Sequence, residues 1–566
     1  MSAVREPAPT NRSGPSAAVG SAVDVDGRRS VRSALLQRSG HGALPPAGVT
    51  PAKGGVGTTG PSRSAFPHLG GPKGRWAASM RWPLLAVLIV QIALSIRLVW
   101  SNTAFQDEAL YLRAGHLEWA HWLHGAAIPD FSSYFSGTPL IYPPIGALAD
   151  SVGGLPGARI LSLCFMLAAT SMLWATTNRL YGQRAALLAA GLFATLAGTQ
   201  FLGAFATFDA MALFLLALAA WLGVRSADGE ASARIALLIT SGIVLAVADA
   251  VKYATTLFTP VVVVVVALAV YRRRGVTAGI TAGLAVLGSW LILVIAAVVA
   301  GGRDYWLGIT TSTLARPQSD VVATTIFERS YIWMSLVLVL AVLGAFLAIR
   351  CERRGKLLPV IVTVAALLVP AEQARLHTTV SLQKHVVFGA WFAAIAAGYA
   401  MGRLSRLDPG RGWAAVMALP IAASTLFGSM GQAASLYQEW PSSAGVVNVL
   451  RSAVRDHPGN YLAEDYDVEA YYLSAEVPWE RWSSTYYFRY QGTPPGAASY
   501  KAAIDRHHFS LVILDFGDTA STDREITSDM RHAGSYHILA RAGSFVVWAS
   551  LQATSGRQAR SSHGQD

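Results

Sequence analysis

From Trp82 onward the chain alternates long apolar runs with short polar loops; the runs lie at about 82–100, 156–178, 185–203, 207–224, 235–251, 254–271, 277–300, 331–349, 357–371, 386–402 and 412–430. Runs of this kind approach the ~20 residues that an α-helix needs to cross a hydrocarbon core about 30 Å thick. The pattern therefore predicts a polytopic α-helical membrane protein with about eleven transmembrane helices. Two connections, about 101–155 and 301–330, are long. After about Gly431 the pattern changes to polar and aromatic, with the β-rich run Phe509–Leu514 between helical stretches near 444–456 and 520–533. A small α/β domain is expected there. Residues 1–80 are rich in Gly, Pro, Ser and Ala without apolar periodicity, which predicts a disordered tail. The expected organisation is a basic tail over 1–80, a transmembrane domain over 81–430, an α/β domain over 431–552 and a second disordered tail over 553–566.

Composition agrees with this pattern and excludes a soluble protein. Of 566 residues, 53% are hydrophobic and 14% charged, against about 25% charged in ordinary soluble domains. The net charge of +12 is concentrated early, with 11 basic and 3 acidic residues before Trp82. Further basic clusters occupy alternate loops: Arg179 and Arg184; Arg225 and Arg234; Arg272 to Arg274; Arg350, Arg353, Arg354 and Lys356; and Arg403, Arg406 and Arg411. Positive charge is retained on the cytoplasmic side, so the N-terminus is expected inside and the C-terminus outside, with any chemistry facing outward. The charge excess thus reflects topology, and no nucleic-acid partner is implied. The two cysteines, Cys164 and Cys351, provide no disulfide framework. Arginine outnumbers lysine 39 to 6, a bias expected of a GC-rich bacterial genome, which points to the plasma membrane. The tail segment Gly55-Val56-Gly57-Thr58-Thr59-Gly60 matches a dinucleotide fingerprint in form only, because no strand precedes it and no helix follows.

Ionisable residues beside membrane helices are costly and mark sites. On the expected outer side these are Asp107 and Glu108 in the first loop, Asp209 at the start of one helix, Lys252 between two others, and the cluster Arg375, His377, Lys384 and His385; Arg316 is a further candidate. Adjacent carboxylates at Asp107 and Glu108 suit a general base, although most acidic pairs are hydrated loop residues. Lys252 reads equally as a snorkelling lysine paired with Asp249. Carboxylates from early loops and cations from later ones suit a substrate bearing a phosphate and a hydroxyl awaiting deprotonation.

Asp107-Glu108 followed by Tyr111, then Tyr142-Pro143-Pro144, Arg159, Asp209 and Lys252-Tyr253, resemble in this order the pattern of membrane glycosyltransferases of the GT-C class. Within that class the chain resembles the branch of protein O-mannosyltransferases and the lipid A aminoarabinose transferase, over about residues 82–430. The resemblance implies an enzyme: inverting transfer of a sugar from a polyprenyl-phosphate carrier, decaprenyl phosphate being the expected form, to a glycan, lipid or protein acceptor on the outer face of the bilayer. It implies Asp107 as the catalytic carboxylate, Glu108 as an aid to acceptor binding and Asp209 as support. Tyr111, Lys252, Arg375, His377, Lys384 and His385 would bind substrate, the cations facing the carrier phosphate. The sequence departs from the aminoarabinose branch in having Leu110 before Tyr111, with the nearest arginine at Arg113.

A transporter or lipid flippase is the competing class. Against it stand the lack of an internal repeat and the placing of ionisable groups at helix ends and not at helix centres. A purely structural anchor for the C-terminal domain would need neither Asp107 nor Asp209. His116, His121 and His124 near Trp119 and Trp122 read as an interfacial amphipathic helix before they read as zinc ligands, so no metal and no cofactor are assigned. The aromatic runs Tyr471-Tyr472 and Tyr486-Tyr487-Phe488 are either acceptor-stacking residues or the domain's own core.

Overall fold

The computed structural model describes residues 82–551 apart from 315–317, 319, 353–354, 408–411, 465 and 487. Arg316 and the expected tails at 1–80 and 553–566 lie outside the described residues. All eleven apolar runs fall on helices. Among the described residues, however, eight helices are long and apolar enough to cross a membrane: Tyr142–Tyr181, Phe208–Asp228, Ala231–Val251, Tyr253–Arg274, Val276–Arg303, Ala323–Cys351, Leu357–Arg375 and Leu382–Ser405. The Trp82–Ile96 helix has 15 residues, a rise of about 22 Å. The run at 185–203 is broken at Leu196, whose extended backbone (φ −61°, ψ 140°) separates Gln183–Thr195 from Ala197–Leu202.

The first long connection is itself helical. The Gln106–His124 helix ends at Gly125, whose left-handed backbone returns its N–H to the His121 carbonyl at 2.8 Å. It runs against the start of the Tyr142–Tyr181 helix, with Pro143 and Pro144 in the first turn. At this crossing a Cβ on Gly115 would lie 1.9 Å from the Pro143 carbonyl oxygen. Only glycine permits the approach.

Beyond the Gly412–Leu436 helix, five strands form one sheet: β1 Asn460–Ala463, β2 Trp482–Ser484, β3 Phe509–Leu514, β4 Tyr536–Ala542 and β5 Phe545–Ser550. Their order is β2-β1-β3-β5-β4, with β1 parallel to β2 and β3, and β5 antiparallel to β3 and β4. Side-chain alternation gives the sheet two apolar faces. Leu511, Ile513 and Val547 pack with Val446 and Leu450 of the Ala444–Asp456 helix. Val512, Leu514 and Trp548 pack with Ile526 and Met530 of the Ala520–Ala533 helix.

The Tyr466–Tyr472 helix docks this unit on the membrane helices. Arg113 forms a buried ion pair with Asp467 and lies 5.1 Å from the Tyr466 ring. Tyr471 donates to Asp150 at 2.6 Å, and the Tyr472 hydroxyl accepts the Ala104 N–H at 2.8 Å. Tyr471 and Tyr472 are thereby committed to docking, and Phe488 to the core beside Tyr500 and Phe509.

Candidate active site

The adjacent carboxylates Asp107 and Glu108 occupy the first turn of the Gln106–His124 helix, where the helix dipole favours negative charge. Successive helical residues point about 100° apart, so each carboxylate meets a different cation. Asp107 Oδ2 accepts Lys384 Nζ at 2.7 Å, with 5% of each residue exposed. Glu108 is fully buried and accepts two bonds from Arg159, at 2.8 and 2.6 Å. It also accepts the N–H groups of Ala206 at 2.8 Å and Phe105 at 3.1 Å. Its carboxylate is enclosed by protein donors and closes the helix start that presents Asp107.

Asp209 lies in the first turn of the Phe208–Arg225 helix, with Thr207 donating to its Oδ2 at 2.9 Å. Its Oδ1 is 2.7 Å from Lys252 Nζ, again with both residues buried. Lys252 thus pairs with Asp209 and not with Asp249, which accepts bonds from Thr255, Thr259 and Trp290 instead. Lys252 is set by a short bridge between two segments of the chain: Thr138 N–H donates to the Ala250 carbonyl and Tyr253 N–H to the Ser136 carbonyl. The bridge needs Gly137, since a Cβ there would meet the Val251 carbonyl oxygen at 1.9 Å. Phe208 lies under the ammonium, 4.7 Å from its ring centroid to Lys252 Nζ and 4.4 Å from the Tyr111 ring. Tyr111 itself is buried, also against Phe135.

Asp107, Asp209, Lys252 and Lys384 form one electrostatic group: Asp209 is acted on by Lys252, Lys384 and His385, and Lys252 by Asp209, Lys384 and Asp107. Beside it opens a cavity of about 480 Å³. Leu257, Phe258, Leu314, Val369 and Phe388 supply apolar wall, and Lys252, Arg375 and His385 line it with nitrogen. His385 Nδ1 is 3.3 Å from the Gln373 amide nitrogen, and Arg375 forms a bidentate pair with Glu372 at 2.9 and 2.6 Å. His377 is not among the cavity residues; its carbonyl accepts the Val321 N–H at 3.1 Å, and its exposed ring lies 3.3 Å from the Val321 carbonyl. Buried carboxylates beside ammonium groups and an apolar cavity can accept a proton, hold a phosphate and receive a lipid chain.

Arg159 is central to this geometry, yet its sequence signal was only a place in a motif order. The histidines of the Gln106–His124 helix do not converge: His116 lies 2.7 Å from Asp150, and His121 bonds the Ala126 carbonyl. Acidic side chains converge instead in the C-terminal unit, where ligand oxygens of Glu464, Asp515 and Asp523 lie within 4.8 Å of one another, the spacing of residues able to hold a metal ion. Burial raises the Asp523 carboxyl to about 8, helped by its bond to Glu464. Burial acts upward on Glu464 too, but hydrogen bonds from Asp515, Asp523 and the Thr519 and Gly517 N–H groups outweigh it and lower that carboxyl. Sequence reading missed this trio because its members are widely spaced.

The family model described as dolichyl-phosphate-mannose-protein mannosyltransferase matches residues 148–300. Sequence comparison with curated proteins gives no match. Among solved structures, ArnT from Cupriavidus metallidurans in the apo state aligns with a TM-score of 0.57 at 16% identity, covering 83% of this chain and 98% of that one. The same protein bound to undecaprenyl phosphate aligns with a TM-score of 0.52 at 16% identity, covering 84% and 98%. The archaeal oligosaccharyltransferase AglB from Archaeoglobus fulgidus, in complex with an inhibitory peptide and a dolichol-phosphate, aligns with a TM-score of 0.53 at 12% identity, covering 84% and 75%. The chain is accordingly a multi-pass membrane protein with the fold of the GT-C glycosyltransferases, and over residues 148–300 it is similar in sequence to their mannosyltransferase family.

Proposed function

We propose that this protein transfers a sugar from a polyprenyl-phosphate carrier to a hydroxyl-bearing acceptor at the outer face of the plasma membrane, inverting the anomeric carbon. The observation that carries the reading is an apolar cavity lined by Lys252, His385 and Arg375, in which Lys252 pairs with Asp209 and belongs to the same charge group as Asp107 and Lys384. A carrier chain fits the apolar wall, and its phosphate fits the cations. Lys252 and Lys384, with His385 and Arg375, balance the charge that grows on the phosphate as the anomeric bond breaks. Asp107 accepts the proton of the acceptor hydroxyl. Asp209 orients Lys252, Tyr111 holds Phe208 beneath it, and Glu108 with Arg159 fixes the turn that presents Asp107.

The basic loops support an N-terminus in the cytoplasm and this cavity outside. The test is transfer from a radiolabelled polyprenyl-phosphate sugar to cell-envelope acceptors by the purified protein. Asp107→Asn is expected to abolish transfer by protein that still inserts in the membrane, because the amide keeps the shape but accepts no proton. Full turnover by that variant would remove Asp107 as the base.

A further inference from the structure

The two lysines expected to meet the donor phosphate are each already bound to a carboxylate. Lys384 Nζ is 2.7 Å from Asp107, and Lys252 Nζ is 2.7 Å from Asp209. All four residues are at most 5% exposed, and their formal charges sum to zero. A phosphate approaching this neutral group gains a full ion pair only by drawing a lysine away from its carboxylate. Conversely, a carboxylate that holds an ammonium hydrogen bond is a weak proton acceptor. Arg159 behaves differently, because its five bonds to Glu108 and three backbone carbonyls leave it no donor that a phosphate could recruit without breaking the helix start.

We infer that Lys384 masks Asp107 until the donor arrives: the carrier phosphate draws Lys384, and Lys252 with it, off their carboxylates, and only then is Asp107 free to take the acceptor proton. The inference rests on the proposed phosphate-binding reading of these lysines and adds an order, donor before acceptor. In the step that follows, the acceptor oxygen bonds to the anomeric carbon as the carbon–oxygen bond to phosphate breaks. The electron pair leaves with the phosphate, the acceptor proton passes to Asp107, and both lysines keep their protons. Until the donor is bound, an acceptor hydroxyl meets a masked base, so productive binding runs donor first.

The experiment measures binding of decaprenyl phosphate to the full-length protein in nanodiscs. Lys384→Gln and Lys252→Gln should each weaken binding. Asp107→Asn, which releases Lys384 from its competitor, should tighten it by about tenfold, equivalent to about 1.4 kcal/mol. Tightening alone would also follow from removing a negative charge near the phosphate. The double variant separates the two causes: in a Lys384→Gln background, Asp107→Asn should change affinity less than about twofold. Tightening that persists there, or no tightening in the single variant, overturns the inference. Wild-type affinity in both lysine variants would instead refute the phosphate-site reading itself. Should Asp107→Asn fail to fold, the same cycle on Asp209 and Lys252 serves in its place, with tightening by Asp209→Asn expected only when Lys252 is present.

Discussion

Replacing Arg159 by methionine removes five hydrogen bonds at once, two to Glu108 and one each to the carbonyls of Val99, Asn102 and Thr103. Glu108 then retains the N–H groups of Phe105 and Ala206 but no cation, in a position with no exposure to solvent. Breaking a buried pair by deleting one partner costs about 3–5 kcal/mol, because the remaining charge stays uncompensated. The buried Val99 carbonyl loses its donor as well, a further ~1–3 kcal/mol. Adding Glu108→Gln removes the orphan charge but not the orphan carbonyl, so the double variant should regain at least about 2 kcal/mol relative to Arg159→Met. Equilibrium unfolding in mixed micelles, followed by helical circular dichroism, measures both. A double variant no more stable than Arg159→Met would refute the view that charge pairing is what holds this helix start. Turnover should also fall in Arg159→Met at temperatures where it remains folded, because the same contact presents Asp107.

Other expectations concern the C-terminal unit and the topology. Burial raises both the Asp523 and the Glu469 carboxyls to about 8, so the folded unit holds protons that the unfolded chain releases above about pH 4. Its stability should therefore decline as pH rises from about 4 to 8 and level off beyond; thermal melting at pH 6, 7, 8 and 9 checks this, and Asp523→Asn should flatten the profile. Asp467→Ala leaves Arg113 buried without its ion pair and should cost about 3–5 kcal/mol, seen as faster protease release of the C-terminal unit. A cysteine introduced beside Asn102 should react with an impermeant thiol reagent in intact cells while one beside Arg273 does not, and the reverse pattern would invert the proposed orientation.

The apolar runs by themselves determined the helices, because a chain crossing hydrocarbon must satisfy its backbone internally and can do so only in such segments. The β3 run and its flanking helices were likewise legible at Phe509–Leu514, 444–456 and 520–533, since strand and helix periods differ locally. The break at Leu196 within the 185–203 run was not legible in the apolar pattern. The site divides in the same way. Asp107, Asp209, Lys252 and Lys384 stood out as charges at the ends of apolar helices. Which charge meets which was a tertiary matter: Asp107 finds Lys384 from 277 residues away, and Lys252 passes over nearby Asp249 for Asp209. Sequence adjacency suggested that Asp107 and Glu108 act together, but the 100° turn between successive helical residues sends one to the candidate site and the other into the structural contact with Arg159. Pairing of buried charges follows from direction and distance in three dimensions, which a one-dimensional pattern does not contain.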